Sequence, residues 1–233
     1  MNLELLMNAE ALKSGQSYHH GNVKEALLTA AKKILETERV QSLTMRRLAK
    51  EVGVTPTAVY NYFSDKDELI MAIKMELFES FYSIIFPEEH KNDEPEVRLA
   101  DAGYNYYLYS INFRSYFDIL FNYYIPPEIL TEEYIECACR SEELLRDVIR
   151  SLYERYQVAY DEELLIKTFL ATWTQLHGLV MLINTGAIQT TAECKGWPEQ
   201  FAMTDHKEVK ALIDDCVQKT VTSILHCDRF RID

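Results

Sequence analysis

Apolar residues recur along this chain at intervals of three and four, the spacing of helices that bury one face. Leu27, Leu28, Ala31, Ile34 and Leu35 predict a first helix from Asn22 to about Glu38. Leu48, Ala49 and Val52 predict a short second one, closed by Gly53, which takes the positive φ of a tight corner at little cost. Thr55 is a good N-cap and Pro56 suits the first helical position, so a third short helix starts there, with Val59 and Phe63 turned to the core. A fourth begins near Ser64 and carries Leu69, Ile73, Leu77 and Phe81 at intervals of four. That stripe outruns a compact three-helix head, so this helix is expected to bridge the head to the rest. Phe86-Pro87 to Pro95 is the clearest loop. Further helices are expected to about Ser110, from Arg114 to Phe121, from Thr131 to Tyr156, from Asp161 to about Thr185 and from His206 to about His226. No strand alternation or repeat interrupts them, and seven glycines and six prolines leave few turns. The expected fold is all-α.

The third helix has an unusual outer face. At 100° per residue, fixing Val59 and Phe63 inward turns Thr57, Ala58 and Asn61 away from the core, with Tyr60 and Tyr62 on the flanks. Small and amide side chains at the centre suit base edges in a major groove, and hydroxyl-bearing rings at the edges suit phosphates. Thr44 caps the second helix while Arg46 and Arg47 occupy its first turn, and Lys66 opens the fourth. Cations beside the positive end of a helix dipole are unfavourable unless an anion sits there, which points to a phosphate backbone passing both starts. The candidate DNA contacts are Thr44, Arg46, Arg47, Thr55, Thr57, Ala58, Tyr60, Asn61, Tyr62 and Lys66.

Charge narrows this to local docking. The chain of 233 residues carries 24 Lys and Arg against 37 Asp and Glu, a net −13. From Ser17 to Lys74 there are 9 basic and 7 acidic residues, and from Met75 onward 14 basic and 28 acidic. A near-neutral head on an acidic body repels nucleic acid except through one surface, so binding should be specific and salt-sensitive.

Tyr18-His19-His20-Gly21-Asn22, Thr44-Met45-Arg46-Arg47-Leu48-Ala49, Val52-Gly53-Val54, Tyr60-Asn61-Tyr62-Phe63 and Lys66-Asp67-Glu68-Leu69 together resemble the DNA-binding domain of the TetR family of bacterial repressors. Trp173 with His177-Gly178 resembles the Trp-x-x-x-His-Gly signature of one C-terminal subfamily. The resemblance implies an all-helical homodimeric transcription factor. Its three-helix helix-turn-helix domain would span residues 18–66, after a lead-in at 1–17. A larger helical domain at 67–233 would bind a small effector and dimerise. The partners it implies are a palindromic double-stranded DNA operator, a small-molecule effector of unknown identity and a second copy of the chain.

Residues Thr168 to Ala192 contain no Asp, Glu, Lys or Arg. Gln175, His177 and Asn184 interrupt the run and no basic cluster flanks it, so a buried or interface helix is expected rather than a membrane span. With the last helix it is expected to form half of a four-helix dimer interface, around Leu176, Val180, Ile213 and Val217. Ten aromatic rings crowd between Tyr104 and Tyr124. They form either a tyrosine-rich core or the wall of a cavity selecting a partly polar ligand. Candidate lining residues are Tyr107, Phe117, Phe121, Trp173 and His177.

Five cysteines without a secretion signal imply reduced thiols in a cytoplasm. Histidine and cysteine spacings give no closed zinc set, so no metal and no cofactor are expected. No phosphate loop, nucleophile elbow or metalloprotease helix points to an enzyme. Two other readings remain: a ligand-independent DNA-binding regulator, which would lack a ring-lined cavity, and a helical enzyme or carrier, in which the Thr57–Asn61 face would be buried.

Overall fold

The computed structural model describes residues 23–226, and among them the secondary structure is helical throughout. The expectations for residues 1–22 and for Cys227 fall outside the described residues. Three helices make the head: α1 (Val23–Thr37), α2 (Met45–Val52) and α3 (Pro56–Tyr60). Thr44 Oγ1 accepts from the Arg47 N–H at 3.2 Å and starts α2, and Gly53, at φ 74°, stops it. Thr55 Oγ1 accepts from the Ala58 N–H at 3.2 Å and starts α3 only a few residues later. The corner is therefore set by two caps and one left-handed residue, each written locally in the sequence.

α4 (Lys66–Ile85) follows without a break in packing. Asp65 caps it by accepting from the Glu68 N–H, and the Glu68 carboxylate reaches back to the Ser64 N–H at 2.6 Å. Its twenty residues span about 30 Å. Leu69 and Ile73 are buried against the head, while Phe78, Phe81 and Ile85 are buried in the body. The body adds α5 (Pro95–Asn112), α6 (Arg114–Asn122), α7 (Glu132–Arg155), α8 (Glu162–Asn184), α9 (Ala187–Lys195) and α10 (His206–Leu225). A capping box of Asp205 and Glu208 begins α10.

Two apolar clusters hold these helices. One runs continuously from the head along α4 into α5, α6 and α8. The other joins Leu99 of α5, Leu145 and Val148 of α7, Phe169 of α8 and Val221 of α10. Where α5 crosses α8 and α10, a Cβ on Gly103 would lie 2.9 Å from Ile213 Cγ2 and 3.3 Å from a Leu176 methyl. Only glycine permits that approach.

The sequence did not predict α9. Gly186, at φ 71°, breaks the uncharged stretch into α8 and α9, so it is two helices rather than one. No helix among the described residues is long and apolar enough to cross a membrane.

The four expected interface residues are core residues of a single chain. Leu176 is 7% exposed, Val180 and Ile213 are sealed, and Val217 is 3% exposed. Their faces of α8 and α10 pack on α5 and on each other. Periodicity reports that a face is buried, not by which chain.

Candidate DNA-reading surface and ligand cavity

Thr57, Tyr60, Asn61 and Tyr62 are exposed, Ala58 is half-buried, and Val59 and Phe63 are sealed. The helix proper ends at Tyr60; Asn61 is its C-cap, still in helical backbone at φ −71°. Tyr60 and Tyr62 keep 53% and 42% of their surface open, a large outlay of apolar area for a surface without a partner. The outer face is therefore free for contact, against the reading in which the corner is a buried accident.

The cations sort differently from the sequence expectation. Arg47 makes a bidentate pair with Glu38, at 2.8 and 2.6 Å, and the guanidinium holds that carboxyl down at about 2. Lys66 Nζ donates to the Val40 carbonyl at 2.6 Å, and burial lowers its pKa. Both side chains tie the turn after α1 to the elements that follow, so their geometry is already used within the head. Arg46 is exposed in the first turn of α2, beside Thr44. The missed signal was Glu38, which falls outside the helical spacing used to pair charges.

In the body lies a cavity of about 680 Å³. α4 supplies Phe78, Phe81 and Ile85, α5 Gly103 and Tyr106, α6 Phe121, α7 Glu142 and Leu145, and α8 Phe169, Trp173 and His177. Rings meet edge to face, as Phe81 does with Tyr106 at 5.9 Å and with Phe121 at 5.5 Å. Tyr106 Oη and His177 Nδ1 are 2.6 Å apart. Burial pushes the Tyr106 phenol well up, the Trp173 indole N–H beside it offsetting only part, and burial pushes His177 down. Both are neutral near pH 7.

Of the five candidate lining residues, Phe121, Trp173 and His177 reach the cavity. Phe117 is sealed one layer behind, 4.8 Å from Phe121 and 5.4 Å from Tyr106. Tyr107 faces the other way, with its hydroxyl 3.0 Å from His206 Nδ1 of α10. The aromatic crowding marked the region but not the phase of α5: Tyr106, not Tyr107, points inward. Phe78 and Phe81 were missed because a lining stripe and a core stripe have the same period.

Helix α6 joins cavity and head. Phe121 lines the cavity, while the Tyr116 hydroxyl donates to Glu36 of α1 at 3.1 Å and the Tyr123 hydroxyl to Asp67 of α4 at 2.6 Å. Lys74 Nζ, from the buried middle of α4, donates to the Tyr123 carbonyl at 2.9 Å.

Elsewhere, His90, Asp93 and Asp101 place ligand atoms within 4.8 Å of one another near the surface. Contact between His90 Nδ1 and an Asp93 carboxylate oxygen at 2.7 Å accounts for the approach of those two. Cys137, Cys139, Cys194 and Cys216 are free thiols.

An exposed short helix behind a glycine corner, on a helical body, defines a helix-turn-helix DNA-binding regulator. Residues 27–73 match the family model of bacterial regulatory proteins, tetR family. The matched segment holds the helix-turn-helix, and the chain is a DNA-binding transcriptional regulator. No curated protein matches the chain in sequence. Its fold is similar to that of a Rhodococcus sp. RHA1 protein of unknown function, at 20% identity and TM-score 0.64 over 90% of this chain and 96% of that one. It also resembles a putative TetR-family regulator from Vibrio parahaemolyticus, at 16% identity and TM-score 0.53 over 84% and 96%. A third likeness is to the fatty acid degradation regulator FadR from Bacillus halodurans, at 15% identity and TM-score 0.55 over 92% and 100%. At these identities the likeness is one of fold.

Proposed function

We propose that the protein is a homodimeric repressor whose hold on a palindromic operator is weakened by a small effector in the body cavity. The observation that carries this reading is that the ring-lined cavity sits against Phe78 and Phe81 of α4, the helix that enters the head at Leu69. A molecule filling that space bears on the element that positions α3. It also bears on Phe121 of α6, whose Tyr116 and Tyr123 hold α1 and α4.

One five-residue helix reads too few bases to locate a genomic site, so two copies must read two half-sites about 34–36 Å apart. The contact between copies falls on the outward faces of α8 and α10. There Ala171, Gln175 and Leu182 lie exposed, as do Gln218 and Thr222. Base reading falls to Asn61, with Thr57 and Ala58 on thymine methyls, and phosphate contacts to Arg46, Thr44, Thr55, Tyr60 and Tyr62. Arg47 and Lys66 act by holding these residues in place.

Sequencing the DNA recovered with the bound protein tests the reading. An inverted repeat with half-sites one helical turn apart is expected, and recovery of unrelated sequences without symmetry would refute it. Titrating that site in the presence of a molecule shown to bind the cavity then gives the sign of the coupling. Weakened DNA binding is expected; a tightened complex makes the effector a co-repressor.

A further inference from the structure

Ser141, Glu142 and Thr174 also line the cavity, each bonded within its own helix, whereas Tyr106 and His177 form a pair across two helices, and its hydrogen positions follow from its surroundings. Either the phenol donates to Nδ1, or Nδ1–H donates to the phenol oxygen. In the second case the phenol hydrogen needs another acceptor, and none is found among the described residues. The Trp173 indole N–H beside the phenol supplies a donor to that oxygen, not an acceptor. The phenol therefore donates to Nδ1. Burial keeps the imidazole neutral, so its single N–H sits on Nε2. The ring stays in that orientation between Phe117, at 6.1 Å and nearly parallel, and Phe121, at 5.6 Å. No described residue accepts a hydrogen bond from Nε2, and the ring lines the cavity.

Charge completes the picture. No lysine or arginine lines the cavity, and its one carboxylate, Glu142, sits on α7 across from the α8 rings. Arg146, one turn on, is committed to Glu142 and Glu162. An anionic headgroup would meet no counter-charge there, and an ammonium would find Glu142 already paired with Arg146 and a donor in place of an acceptor at His177.

We propose that the cavity selects an uncharged, largely apolar ligand carrying one hydrogen-bond-accepting oxygen (a ketone, ester, lactone or ether), which seats on the Nε2–H of His177. His177 is then the specificity-determining residue, and Tyr106 a positioning residue that fixes its tautomer. The inference rests on the reading of the cavity as the effector site. A ligand without the oxygen leaves a sheltered donor unpaired, which such sites penalise by about tenfold or more in affinity.

Two measurements on the full-length protein test this separately. Nitrogen-15 NMR of labelled histidines, with His177 assigned from its loss in His177→Gln, should show Nε2 protonated and Nδ1 not. Tyr106→Phe should abolish that preference. A dominant Nδ1–H form in the unsubstituted protein overturns the proposal. Calorimetric titration then compares benzophenone, diphenylmethane and 2-benzoylbenzoate, which share two rings and differ in a ketone oxygen or an added carboxylate.

Benzophenone is expected to bind about tenfold tighter than diphenylmethane, and the carboxylate weakest. His177→Phe should bring benzophenone to the level of diphenylmethane without weakening the latter, and His177→Gln, which keeps a donor, should restore part of the difference. Equal binding of benzophenone and diphenylmethane overturns the donor, and preference for the carboxylate overturns the charge argument. If none of the three binds up to its solubility while Nε2 is protonated, what falls is the cavity as a site for apolar molecules.

Discussion

Lys74 is the most expensive side chain in the connecting helix, and its cost is measurable. It is 5% exposed in the middle of α4, with one hydrogen bond, to the Tyr123 carbonyl. Burial pulls its ammonium from an ordinary 10.5 down to about 8. Between pH 8 and 10.5 the unfolded chain holds a proton that the folded chain has released, so this residue's contribution to stability rises with pH across that window. It is complete above 10.5 and lost as pH falls through 8. The difference corresponds to about 3 kcal/mol withheld from the folded state at neutral pH. Lys74→Met removes the charge at similar volume and also removes the bond to Tyr123, worth about 1 kcal/mol. The variant should therefore be more stable than the parent by roughly 2 kcal/mol at pH 7 and less stable by about 1 kcal/mol near pH 10.5. Urea titrations of both proteins at several pH values read this out. The comparison must be a difference, because burial raises the Cys137 and Cys216 thiols and contributes the opposite slope to both proteins. A difference that stays flat from pH 7 to 10.5 would mean Lys74 does not titrate in the fold, and the account of its cost would fail.

Other consequences follow from the head and the helix crossing. Glu38→Gln should free Arg47 for phosphate, tightening binding to all DNA sequences and steepening the salt dependence by about one charge, as read by fluorescence anisotropy at several salt concentrations. Asn61→Ala should cost about 1–3 kcal/mol on the preferred site and little on random DNA; equal loss on both would remove Asn61 from base reading. Gly103→Ala forces a methyl to 2.9 Å from Ile213 and should destabilise the body by about 1–3 kcal/mol in thermal melts. Val180→Ala, in a sealed position, should lower stability by about 1–3 kcal/mol while leaving the sedimentation coefficient of the folded protein unchanged.

The head was legible because its signals are local. Thr44, Gly53, Thr55 and Pro56 act on their own turns, so caps and corner can be read without knowing what packs where. The long helices were legible from period alone, to within a residue or two at each end. What escaped was everything set by the phase between helices. Tyr106 and Tyr107 are neighbours on one helix, and only the angle at which α5 crosses α8 and α10 decides which faces the cavity. Leu176, Val180, Ile213 and Val217 show the same limit from the other side: apolar periodicity is identical for a protomer core and a dimer seam. Helix α9 escaped for a further reason. Its Ile188, Gln189 and Ala192 give too short a stripe to distinguish from the end of α8, and the break at Gly186 is one residue's backbone angle.

That phase is also where control of DNA binding would reside. Had α4 alone joined head to body, a ligand beneath Phe78 and Phe81 could rotate the head about Leu69 with little resistance. α6 adds a second attachment, through Tyr116 to α1 and Tyr123 to α4. Two attachments converging on one head restrict it to motions that shift α4 and α6 together. Both helices put rings into the same cavity, Phe81 and Phe121 lying 5.5 Å apart. Under the proposed coupling a molecule inserted there would press on both at once, and the head would respond as one body because Arg47–Glu38 and Lys66–Val40 tie its parts together. In that coupling Arg47 and Lys66, first assigned to the operator, would serve control instead: by stiffening the head they would pass a displacement in the cavity on to the reading helices.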